Sequence, residues 1–121
     1  MSLPEWAVEG GQAVTVNFPT FGPPHLTAVT IDRVTATQAV IGTRRFRLVG
    51  VELRESGAYG DILIPRDDPR LAGWQWHRKS YKAEREAKDA ARRFGVHANI
   101  DNHDALVAAL AEWRTLLEAR P

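Results

Sequence analysis

The chain has 121 residues, of which 44% are hydrophobic and 26% charged, with a formal net charge of +1 and no cysteine. That size suits one compact domain, or a small domain with an appendage, and is long enough to bury a core. The composition excludes a disulfide framework and thiolate chemistry, and no apolar run approaches the roughly 20 residues that cross a bilayer.

The small net charge hides an uneven layout. Residues 1–76 carry seven basic and eight acidic side chains, residues 77–93 seven and three, and residues 94–121 two and four. The excess positive charge is concentrated in one segment between two mildly acidic ones.

In chain order, Gly10-Gly11-Gln12 reads as a turn. A strand follows over 13–18, with Val14, Val16 and Phe18 alternating with smaller or polar residues. Three prolines and a glycine over 19–24 make a loop, with Phe21 near its tip. The β-branched run 27–34 predicts a second strand, and 38–41 a third. Gly42-Thr43 turns the chain into a fourth over 45–49, where Phe46 and Leu48 alternate with Arg45 and Arg47. Residues 51–54 extend that strand past a bulge at Gly50. A loop containing Tyr59 precedes a short fifth strand over 61–65. Short strands with glycine-rich turns predict a small barrel over residues 1–68.

Pro69 suits a helix start, so 69–76 is a first helical turn or an irregular link. A helix is predicted over 78–94. Ser80, Ala83, Ala87, Ala90, Ala91 and Phe94 fall on one face; Arg78, Lys82, Arg85, Asp89, Arg92 and Arg93 fall on the other. Gly95 suits the position after its end. Asp101 or Asn102 caps a last helix to 119, with Leu106, Val107, Leu110, Trp113, Leu116 and Leu117 as an apolar stripe. The short connector makes residues 69–121 an antiparallel two-helix hairpin. The stripe is expected to pack on the first helix, on the barrel or on a second copy of the chain, which opens a route to self-association through the last helix.

Several short motifs carry a resemblance. Gly11-Gln12-Ala13-Val14-Thr15-Val16 is similar to the opening of KOW-type barrels, with Gln12 where an acidic residue is usual. Val29-Thr30-Ile31-Asp32-Arg33-Val34, Arg45-Phe46-Arg47, Tyr59-Gly60 and Asp67-Asp68-Pro69 before a basic helix add to it. The chain resembles the small SH3-like, KOW- or Tudor-type barrel proteins of actinobacterial phages and their hosts. The resemblance implies a fold, α+β with a five-stranded SH3-like barrel followed by the hairpin, far more than it implies a function. The absence of cysteine fits a cytoplasmic location, the host cytoplasm for a phage product.

Two candidate surfaces follow. Arg78, Lys82, Arg85, Arg92 and Arg93, with Arg44, Arg45 and Arg47 on the barrel, form a candidate phosphate-backbone footprint. A solvated helix face interleaved with Glu84, Glu86 and Asp89 is the plainer reading of the same residues. Phe21 and Tyr59 are candidate partner-binding aromatics, since SH3-like barrels recognise ligands through loop aromatics, and Trp113 is a third through the apolar stripe of the last helix. His97, Asp101, His103 and Asp104 have zinc-type donors but no structural zinc spacing. No nucleophile–base pair, phosphate-cradling loop or paired carboxylate stands out, so no catalytic residue, metal or cofactor is assigned. The expected function is a non-catalytic accessory protein contacting nucleic acid. The alternatives are a protein–protein interaction module acting on a host protein and a virion structural or connector component. No membrane partner is expected.

Overall fold

The structure, a computed structural model, describes residues 2–56 and 60–121. The chain divides into two compact units, 1–69 and 70–121. It is an α+β protein: among the described residues all strands lie in the first unit and both helices in the second. Among the described residues no helix is long and apolar enough to cross a membrane.

Among the described residues the first unit forms a single antiparallel sheet of seven strands: β1 (Gln12–Asn17), β2 (His25–Thr30), β3 (Arg33–Val34), β4 (Gln38–Ile41), β5 (Arg44–Val49), β6 (Glu52–Glu55) and β7 (Ile62–Pro65). Their order across the sheet is β2-β1-β7-β6-β5-β4-β3. The outermost strands, β2 and β3, are consecutive in the chain and joined only by Ile31 and Asp32. Three Cα steps span at most about 11 Å. Seven strands laid flat would separate the same edges by about 29 Å. The sheet therefore curls into a half-barrel. The linking residues bond to both sides: Ile31 exchanges backbone hydrogen bonds with Gly10 and Gly11, and the Asp32 N–H donates to the Val40 carbonyl.

The five strands expected from the sequence become seven for two local reasons. The long second strand breaks at Ile31-Asp32, where the chain leaves one edge and joins the other. The supposed bulge at Gly50 is a two-residue hairpin, with Val49 paired to Glu52 and Gly50 at φ +67°. A positive φ followed by an ordinary one is what a II′-type turn requires, and glycine meets it without Cβ strain. Gly42, at φ +60° between the paired Ile41 and Arg44, makes the same turn.

Inside the curl lie Ala7, Ala13, Ile31, Ala39, Phe46, Leu53 and Leu63. Register sets these contacts, with Phe46 opposite Ala39 and Leu53 opposite Leu63. Val16, Ile62 and Ile64 occupy the other face of β1 and β7 and are also buried. Phe18 falls beyond β1 and is exposed, contrary to the alternation expected there.

The second unit contains α1 (Arg70–Val96) and α2 (Ile100–Glu118), about 40 and 28 Å long. Of the two expectations for 69–76 the helical one holds: α1 begins at Arg70, because nothing in 70–77 breaks it. Gly73 is tolerated there, and Gly95 lies within the helix rather than after it. Asn99, not Asp101 or Asn102, is the α2 cap: its Oδ1 accepts from the Asn102 N–H at 2.8 Å. The Asn102 side chain donates back to the His97 carbonyl at 2.8 Å, closing the hairpin turn. Asp101 occupies the first turn, where the helix dipole favours a negative charge. Ser80, Ala83, Ala87 and Ala90 are buried on α1. On α2, Leu106, Ala109, Trp113 and Leu116 are half-buried. The Trp76 indole N–H donates to the Leu116 carbonyl at 2.6 Å, tying the far end of the hairpin.

Candidate nucleic-acid interface

Helix α1 holds eight basic and three acidic residues. Arg78, Arg85 and Arg92 recur every seven residues, nearly two turns, so they line one side at intervals of about 10.5 Å. Lys82 and Arg93 flank that line, and all five side chains are exposed. The acidic residues interleave as the plainer reading anticipates: Lys82 pairs with Glu86 at 3.9 Å, Lys88 with Glu84 at 3.1 Å and Arg92 with Asp89 at 3.6 Å. Such exposed pairs are worth only about 0.3–0.5 kcal/mol each. Arg78, Arg85 and Arg93 make no ion pair among the described residues.

The sheet arginines divide by strand parity. Arg44 shares the inner side of β5 with Phe46 and Leu48. Its guanidinium grips Glu55 through Nε at 2.7 Å and Nη2 at 3.1 Å, reaches Asp61 at 2.7 Å, and lies 5.1 Å from the Phe46 ring centre. Asp61 also accepts from the Asn17 amide at 2.8 Å. The Arg44 hydrogen bond pulls the Glu55 pKa below its ordinary value, against partial desolvation. The same contact with Glu55 raises that of Arg44. This network ties β1, β5 and β6 to the segment before β7, leaving the Arg44 guanidinium already engaged.

Arg45 and Arg47 project from the opposite, outer side. Register adds two residues that the sequence reading missed. Arg33 on β3 and Arg45 on β5 both pair with Val40 on β4. Arg47 pairs with Gln38 on one side and Arg54 on the other. Directly paired residues share a face of a sheet, so Arg33, Arg45, Arg47 and Arg54 form one outward patch, and all four are exposed. Arg45 donates to the Gln38 side chain at 3.2 Å, and Arg54 pairs with Glu52 at 3.2 Å. The β5–β6 hairpin is what folds Arg54 back beside Arg47; read as a continuous strand, the sequence carries it away.

No family model, curated protein or solved structure matches this chain.

Of the candidate aromatics, Phe21 is 88% exposed in the proline-rich loop and Trp113 is half-buried on α2. Tyr59 lies outside the described residues. The Trp74 and Trp76 rings each lie under an arginine from the same unit, Arg70 at 5.2 Å and Arg120 at 5.0 Å. Among the described residues no group of three or more acidic or histidine side chains is gathered to hold a metal ion. His103 contacts Asp104 at 3.0 Å and meets the Phe94 ring edge-on.

Proposed function

We propose that the protein is a non-catalytic nucleic-acid-binding accessory protein, built on an SH3-like barrel of the kind found in phage proteins. The observation that carries this reading is the pair of exposed arginine arrays, one on the outer sheet face and one along α1. Arginine forks bind phosphate oxygens bidentately, and neutralising a polyanion releases counterions. Each phosphate contact contributes about −0.9 to the slope of log affinity against log salt. Four contacts predict a slope of about −3.6, or about 150-fold weaker binding between 50 and 200 mM salt. Fluorescence anisotropy with labelled duplex and single-stranded oligonucleotides tests this. Absence of binding to either at low salt rejects the reading. A second reading, a module that docks on another protein, draws on the exposure of Phe21; a Phe21→Ser variant that keeps full nucleic-acid affinity separates the two.

A further inference from the structure

The outer sheet face has a geometry more specific than positive charge. We infer that Arg33, Arg45, Arg47 and Arg54 form a site for the backbone of duplex nucleic acid, straddling a groove and contacting phosphates of both strands. The inference rests on the nucleic-acid reading above and narrows it.

Three features support duplex over single strand. The first is span. Arg33 on β3 and Arg54 on β6 stand three strand spacings apart, about 14 Å. The B-form major groove between two phosphate rows is about 12 Å wide. The second is shape and chemistry. The core cluster fills the inside of the curl, so this face is convex. Single-strand binders use grooves with stacking aromatics. The outward residues of β3 to β6 are Arg33, Gln38, Val40, Arg45, Arg47, Val49, Glu52 and Arg54, with no aromatic among them. Phe46, the aromatic of β5, points inward at 0% exposure.

The third is an electrostatic tension. Arg47 and Arg54 are directly opposed across neighbouring strands. Like charges so placed repel in the free protein, an effect that Glu52 beside Arg54 offsets in part, and a phosphate seated between two guanidinium groups makes the arrangement attractive. The acid on this face, Glu52, is held against Arg54. A phosphate competes for that guanidinium rather than meeting a bare carboxylate.

The test measures anisotropy of the full chain with a duplex of about 24 base pairs, each of its strands, and a duplex of scrambled sequence, at about 50 mM salt. The site predicts duplex binding about tenfold tighter than either strand, and near-equal affinity for the scrambled duplex. Arg33→Glu and Arg54→Glu should each weaken duplex binding about tenfold with unchanged thermal melts. Single-strand binding as tight as duplex binding overturns the inference and leaves the nucleic-acid reading standing. Duplex binding that is unmoved by Arg33→Glu and Arg54→Glu also overturns it and places contact elsewhere. No binding to any probe overturns both.

Discussion

Arg44 shows how little a residue's type says about its role. Its neighbours Arg45 and Arg47 reach solvent, while Arg44 clamps Glu55 and Asp61. The clamp is bidentate to Glu55 but partly exposed, so Arg44→Met should cost about 1–2 kcal/mol, more than an open surface pair and less than a buried one. A urea melt reads that loss. The pH dependence has a definite sign. Glu55 titrates lower in the fold than its ordinary 4.5, so its contribution is complete above that value and disappears as pH falls through the folded one. The raised Arg44 pKa places the opposite loss at alkaline values beyond ordinary working pH. An acid titration of stability should therefore be shallower in Glu55→Gln than in the parent. Identical slopes would show that the pair contributes nothing.

At the scale of elements, the turns and caps decide what the hydrophobic pattern leaves open. Gly50 has open space around a notional Cβ, so Gly50→Val should cost about 1–2 kcal/mol from the left-handed backbone alone. Asn99→Ala should cost about 1 kcal/mol by leaving the α2 start uncapped, seen as a lower melting temperature. The sequence showed the alternation of β5 and the alanine face of α1, because each is written in local spacing. Strand number was not legible at two places. Ile31-Asp32 is β-branched then polar, and only the tertiary curl makes it a crossing point. Glu52-Leu53-Arg54 alternates equally well as an extension of β5 or as a returning strand, and pattern alone cannot distinguish them.

For the whole molecule, the candidate interface was legible in part. The basic row of α1 follows from helical periodicity. The sheet patch does not, because Arg33, Arg47 and Arg54 come from separate strands that meet only through register. Arg45→Glu/Arg47→Glu and Arg78→Glu/Arg85→Glu alter different units, so their losses in nucleic-acid affinity should add if both arrays bind. A helix pair with no effect would restrict binding to the sheet. The apolar stripe of α2 is only partly used: Leu110 and Leu117 remain 45% and 46% exposed. Leu117→Gln should therefore cost under about 1 kcal/mol, whereas Trp113→Ala, which also empties hairpin packing, should cost about 2–3 kcal/mol. Thermal melts compare them.

The pairing of β1 with β7 sets Val14 against Ile64, whereas β4, β5 and β6 meet through two-residue turns. Closing the long loop costs entropy before any contact repays it, while the meander closes cheaply. The meander should therefore nucleate folding, and β1 should join the sheet after the barrier. Gly50→Val would then slow refolding, and Ile64→Val would chiefly hasten unfolding. In a chevron plot the first mutation shifts the left arm and the second the right. The sheet would thus come apart along the β1–β7 seam, the junction joining its most distant stretches of sequence.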